Sequence, residues 1–316
     1  MMSFMTLKYT RGRTLAEVMI AMAIGLVISL AVTSLFISNS QTYRIFDDKS
    51  LMEEDGRMAL NMLAYHVRMV GYGNIKNTGN QTESGGGATD YNTIVWGEPI
   101  AGCTGGFVSA TASPAVCTNS GTAPDSFIVH YIVDSDNANQ GSASAVSPTD
   151  CLGQAIAINP ADSTYTIENR YYIALNATTN RNELYCVGNG GVAFGTSSWL
   201  AGQPVMENVV DMKVIYGYDQ QGTQSANSFF SAASLVAGTV PAPAGQLPGD
   251  PPLSKWARVV SAKICLVMRS ANDNLAPTST KYTDCSGNVV TPTDKRLYST
   301  FSTVVTLRGR AAGNSL

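Results

Sequence analysis

The sequence predicts an α+β chain, one long N-terminal helix followed by a β-rich head. Three observations predict it. An apolar run near the start is long enough to cross a bilayer. No proline precedes Pro99, so a helix begun near Thr14 can continue beyond that run. After Gly73 the chain carries all 13 of its prolines, interspersed with short alternating segments.

The apolar run comes first. Residues 12–38 read GRTLAEVMIAMAIGLVISLAVTSLFIS, and Val18 to Ser38 are 21 residues without a charge. As a helix they span about 31 Å, close to the hydrocarbon thickness of a bilayer. A cleaved secretory signal has an apolar part of only about 7–15 residues, so this run reads as an anchor. Lys8, Arg11 and Arg13 precede it. The positive-inside rule then places the N-terminus in the cytoplasm and the rest outside. Glu17 stands at the threshold of the run. An acid at the bilayer centre costs roughly 2.5–3.5 kcal/mol, and less at the edge, where it reaches the headgroups.

The helix is expected to continue through LMEEDGRMALNMLAYHVRMVGYG, residues 51–73. Leu51, Met58, Met62, Tyr65 and Met69 recur at helical spacing, with Ala59, Leu63 and Val70 widening the stripe. This face is expected to pack under the head. Gly56 costs about 1 kcal/mol relative to alanine, and Gly71 and Gly73 supply the stop.

In the head, residues 77–90 and 238–252 read as surface loops. Strands are expected at 126–133, 170–175 and 259–268. In the last of these, Val260, Ala262, Ile264, Leu266 and Met268 share one face, with Ser261 and Lys263 opposite. Phe301, Thr303, Val305 and Leu307 alternate in a closing strand. Cys103, Cys117, Cys151, Cys186, Cys265 and Cys285 are even in number, contain no C-x-x-C pair and all follow the anchor. Disulfides in an oxidising compartment are the reading. Pairing of sequence neighbours is favoured, though other connectivities stay open. Each such bridge adds roughly 2–4 kcal/mol. Cys265 points away from Ile264, so its partner is expected off the main core.

The chain offers little for catalysis. Its two histidines, His66 and His130, have no partner at metal or triad spacing. GNGGVA (188–193) matches G-x-G-x-x-A, but no amphipathic helix follows, so it reads as a glycine-rich turn. DSDNANQ (134–140) lacks the glycine and distal glutamate of an EF-hand. QQGTQ after Asp219 has no carboxylate to hold calcium. A net charge of −3 with 14% charged residues gives no basic footprint for nucleic acid.

Several motifs carry a resemblance. Gly12, Thr14, Leu15 and Glu17 resemble the class III signal of type IV prepilins, usually Gly-Phe-Thr-Leu-(Ile/Val)-Glu. Arg13 and Ala16 depart from it. Glu54, Gly56, Arg57, Ala59, Leu60, Leu63, Arg68, Gly71 and Tyr72 resemble the ENGRFAL…RMAGY signature of PilW-family minor pilins. VMENVVDMKVIYGYD (205–219) and RLYSTFSTVVTLRGR (296–310) are similar to that family's later strands.

The resemblance implies a leader at 1–12, cut by prepilin peptidase between Gly12 and Arg13, with methylation of the new N-terminus. It implies an assembly helix at 13–38, its amphipathic continuation at 39–73 and a periplasmic head at 74–316. Glu17 would meet the N-terminal amine of a neighbouring subunit. The implied role is a minor pilin that initiates type IV pilus assembly and sits in or at the tip of the filament. Its partners would be the other minor pilins, the major pilin and a tip adhesin. It would reside in the inner membrane and then in the pilus at the cell surface. No cofactor, metal or enzymatic activity is expected. The alternatives are a minor pseudopilin of a type II secretion system and, from a different class, a membrane-anchored periplasmic binding module or enzyme.

Overall fold

The computed structural model describes residue 12 and residues 14–72, 100–118, 120–121, 123–133, 148–160, 165–237, 239–241, 255–276 and 278–308. The loop expected at 77–90 and the 134–140 stretch lie outside the described residues, as does most of 238–252. The chain divides into two compact units, Met1–Asp48 and Lys49–Leu316.

Helix α1 (Leu15–Met69) starts in the first unit. It is long and apolar enough to cross a membrane. Two hydroxyls of its apolar run are satisfied within the helix, as a lipid environment requires. Ser29 donates to the Gly25 carbonyl and Thr33 to that of Ser29, each at 2.8 Å.

In the second unit, the later turns of α1 bury a face that overlaps the expected one, with Met62 and Met69 half-buried against the core, but is turned from it. Met52, Ala59, Leu60, Leu63, Ala64, Val67 and Val70 are buried. Leu51, Met58 and Tyr65 are instead exposed, at 51%, 62% and 47%. The reason is close approach. A β-carbon at Gly56 would lie 2.7 Å from the Phe301 ring. Gly56 therefore lies against the head, and Leu51, Met58 and Tyr65 fall outside. Gly56, read from the sequence as a cost, is what admits the ring. Gly71 ends the helix at φ +71°. Its N–H donates to the His130 carbonyl at 3.1 Å, and Ile132 N–H donates to the Tyr72 carbonyl at 2.8 Å.

Among the described residues the head holds two larger antiparallel sheets and a two-stranded one. The first is a five-stranded meander of β1 (Ile100–Cys103), β2 (Ser126–Val133), β3 (Tyr165–Asn176), β4 (Arg181–Gly188) and β5 (Gln203–Glu207), in that order. The second contains β6 (Val209–Tyr218), β7 (Ser228–Ser231), β8 (Val259–Arg269) and β11 (Tyr298–Thr306), ordered β11-β8-β6-β7. A short helix, α2 (Ala232–Val236), follows β7, and β9 (Tyr282–Thr283) pairs with β10 (Val289–Val290). The core joins Leu63 and Val67 of α1 to Phe127, Tyr171 and Leu184 of the first sheet and Met212, Ile264 and Leu266 of the second.

The expected strands at 126–133 and 259–268 are β2 and the body of β8, and 170–175 falls within β3. The alternation expected in β8 does not show as alternating exposure. Only Lys263 is exposed along the strand, and Ser261 is buried at 6%. β8 lies between β6 and β11, and the bridge from Cys265 to Cys285 brings the segment before β11 over its outer face.

Candidate functional site

The sequence motif at the start of α1 folds as a capping box. Thr14 N–H donates to Glu17 Oε2 at 3.0 Å, and Glu17 N–H donates to Thr14 Oγ1 at 3.3 Å. Each side chain satisfies an amide that the first helical turn leaves without an intrahelical partner. The carboxylate also sits at the positive end of the helix dipole. Glu17 therefore has a local role at the start of α1. The T-x-x-E spacing is itself a capping signal, a role beyond those of a headgroup-facing acid or an intermolecular partner. Gly12 lies before the helix with open space around its Cα. Arg13 lies outside the described residues.

The six cysteines form three bridges in the head. Cys103–Cys117, Cys151–Cys186 and Cys265–Cys285 have Cα separations of 5.2, 6.5 and 5.7 Å. Cys186 lies in the main core, whereas Cys265 and Cys285 lie outside it. Alkylation of the native chain without reductant is expected to label no cysteine, as intact-mass spectrometry would read. Two or more labelled thiols would contradict this pairing.

A polar cluster on the outer face of β3 was not foreseen. Arg170 is 1% exposed. Its Nε and Nη2 both lie 2.7 Å from Glu168 Oε1. Its Nη1 donates to the Ala110 and Ala112 carbonyls, and its guanidinium lies 3.8 Å from the centroid of Trp199. His130 Nε2 meets the other Glu168 oxygen at 3.0 Å. Burial alone would raise the Glu168 carboxyl, but the His130 and Arg170 contacts outweigh it and hold its pKa below the usual range. The Cys103–Cys117 loop and the segment after β4 are thereby fastened together over the sheet. Trp199 N–H donates to the Thr111 carbonyl and Ser113 N–H to that of Ser197, both at 2.9 Å. A cavity of 280 Å³ beside this cluster is lined by Glu168, Asn189, Phe194 and Trp199, among others. Asn189 is committed to backbone, accepting from Glu168 N–H and donating to the Thr166 carbonyl. Glu168 and Arg170 are committed to one another, so the arrangement fastens rather than reacts.

The other residues weighed for chemistry have structural surroundings. His66 Nδ1 faces Asn169 Nδ2 at 3.3 Å, and its ring packs against Tyr171. Burial lowers its pKa to about 4. The GNGGVA stretch is a turn wrapped on Asp150, whose carboxylate accepts from Leu152, Gln154 and Gly190 N–H groups. A β-carbon at Gly188 would lie 2.1 Å from Asp150 Oδ2, so glycine here serves close packing, not a nucleotide. The Asp219 carboxylate takes the N–H groups of Gln221, Thr223 and Gln224 from its own loop. Among the described residues no group of His, Cys, Asp and Glu is placed to hold a metal.

The family model of Type IV Pilus-assembly protein W, PilW, matches residues 170–309. Over these residues the chain is similar to that family. The PilW region runs from the Arg170 cluster on β3 through to β11, so it takes in the whole second sheet. The 205–219 motif is the end of β5, a turn at Asn208 with φ +59°, and β6. The α1 motif and the prepilin-like signal lie outside the PilW match. Gly56 of the α1 motif meets Phe301 of the PilW region, so the two resemblances join in one contact. The structure is also similar to the type IV-like pilin TTHA1219 from Thermus thermophilus. The identity is 12%, over 84% of this chain and 98% of that one, with a TM-score of 0.37. No curated protein matches the sequence.

Proposed function

We propose that this chain is a minor pilin that takes part in initiating type IV pilus assembly and sits in or at the tip of the filament. The observation that carries the reading is a combination. A Gly12/Thr14/Glu17 start opens a helix apolar enough to cross a membrane, and the same chain carries a PilW-family region. Cleavage between Gly12 and Arg13 leaves a free amine one residue before Thr14. Glu17 then offers a carboxylate to such an amine on a neighbour, in surroundings that screen the pair weakly. Prepilin peptidase, the other minor pilins, the major pilin and a tip adhesin are the proposed partners. The inner membrane, then the pilus, is the proposed location.

Detection of this chain in purified pili, with loss of pili on its deletion, tests the reading. Normal piliation in the deletion strain together with lost protein secretion would transfer the role to a type II secretion system. The mature N-terminus is expected to be Arg13, and Met1 retained in pilus-bound material would sink the cleavage assignment.

Two substitutions separate the cap from the charge. Glu17→Gln keeps an acceptor for Thr14 N–H, whereas Glu17→Ala loses it and weakens the helix start by about 1 kcal/mol. Both remove the carboxylate. If the charge serves assembly, both variants are processed and inserted but fail to recover the other minor pilins from detergent membranes. Recovery equal to wild type with Glu17→Gln would leave Glu17 a capping residue alone.

A further inference from the structure

We propose that the free edge of β11 pairs, antiparallel, with the same edge of a second copy of this chain, about a two-fold axis at Val304. Sheet edges are normally blunted with charges, proline or short length, because their unpaired peptide groups recruit other strands. The other edges of this head follow that practice. β5 carries Pro204 and Glu207, while β1 and β7 have 4 residues each. β11 has 9 residues, YSTFSTVVT, with neither charge nor proline. Among the described residues no strand pairs with its outer side.

The hydrogen bonds define which peptide groups are free. Leu307 N–H donates to the Val260 carbonyl at 2.9 Å, and Ser270 N–H donates to the Leu297 carbonyl at 2.8 Å. With the unbroken register from Tyr298↔Arg269 to Thr306↔Ser261, odd-numbered residues turn their peptide groups to β8. Even-numbered residues turn theirs outward. The first of these are shielded. Tyr298 stacks on Tyr282 at 4.7 Å, and Thr300 Oγ1 donates to the Thr283 carbonyl. Ser302, Val304 and Thr306 remain, and all three side chains are exposed, Val304 at 58%.

This stretch is complementary to itself. A two-fold at Val304 sets Val304 opposite Val304 and Ser302 opposite Thr306. Each of these residues faces outward, so each pair can exchange N–H···O bonds in both directions, with Cα atoms about 5.5 Å apart. Val–Val and Ser–Thr are favourable cross-strand pairs, and no like charges meet. Centring at Ser302 would drive the partner into the β9–β10 hairpin, whereas centring at Val304 uses the whole free edge. The second sheets of two copies would then run on as one.

The test uses the full chain in detergent micelles. The native cysteines are all bridged, so Val304→Cys supplies a single free thiol. A short bismaleimide is expected to cross-link it to a dimer, and not Val289→Cys, which is 69% exposed on β10. By sedimentation, wild type is expected to pass from monomer to dimer with concentration. Val304→Lys, which sets two ammonium groups opposite one another, is expected to weaken that dimer by about tenfold or more. Circular dichroism of this exposed-site variant should match wild type. A wild type monomeric throughout, an undiminished Val304→Lys dimer, or cross-linking of Val304→Cys in cell membranes to a different protein would each overturn the proposal.

Discussion

Replacing Arg170 with alanine is expected to destabilise the head by about 3–5 kcal/mol, the usual cost of removing one partner from a buried ion pair. The guanidinium is buried and does several things at once. It forks onto Glu168, closes the carbonyls of Ala110 and Ala112, and lies against Trp199. Alanine would leave the Glu168 carboxylate, half of whose partners are gone, in a poorly solvated place. It would also leave two carbonyls facing the space the side chain filled. Arg170→Lys is not conservative here, because an ammonium cannot reproduce the planar fork or the stack. It should fall between wild type and alanine. Urea unfolding followed by tryptophan fluorescence reads the effect, and Trp199 makes the probe local. If Glu168 is the main creditor of the charge, Glu168→Gln in the Arg170→Ala background should recover part of the loss. A loss below about 1 kcal/mol for Arg170→Ala would show that the cluster does not hold the two loops over the sheet.

That cluster was illegible in the sequence for a physical reason. Strand periodicity reports which face a residue takes, not what crosses above it. Glu168 and Arg170 share a face of β3 by simple alternation, but Ala110, His130 and Trp199 come from distant segments that only the fold assembles. The strands themselves were legible. β2 and β8 were readable from β-branched runs bounded by turn residues, and α1 from an apolar run without proline. The buried face of α1 was legible in part: Ala59, Leu63 and Val70 are buried as expected, whereas other residues of the stripe are not. Leu51, Met58 and Tyr65 look like core residues yet are exposed, whereas Gly56 is what the close approach of Phe301 on β11 requires. Close approach selects small side chains, and a hydropathy stripe does not register it. The Thr14–Glu17 box was legible in full, since capping depends only on neighbours in sequence.

Acidification is expected to weaken the head through His66, by a total of about 3 kcal/mol between roughly pH 6.5 and pH 4. The ring lies between α1 and β3, where Asn169 Nδ2 points at its Nδ1 from 3.3 Å. Asn169 Oδ1 is already taken by Cys151 N–H at 3.0 Å, which fixes the amide with its NH2 toward the histidine. His66 Nδ1 must therefore accept, so the neutral ring is the one that fits. Protonation would set a second donor against the amide. Burial is the cause of the lowered pKa of about 4, and the unfolded chain restores the ordinary 6.5. The unfolded state thus binds the proton more readily. Stability is complete above about pH 6.5 and falls as pH drops toward 4, with a slope approaching 1.4 kcal/mol per unit. The surrounding phenols of Tyr131 and Tyr171, pushed up by burial, stay neutral throughout this range. Asp150, whose carboxyl burial raises, works in the opposite direction, since its protonation relieves a buried charge. The His66→Gln chain isolates the histidine, because it keeps an acceptor for Asn169 but cannot titrate. Urea unfolding of the full chain in detergent, repeated from pH 7.5 to pH 4.5, should show wild type losing stability faster than His66→Gln. Parallel curves for the two chains would mean that His66 is protonated in the folded head, and that its contact with Asn169 does not require the neutral ring.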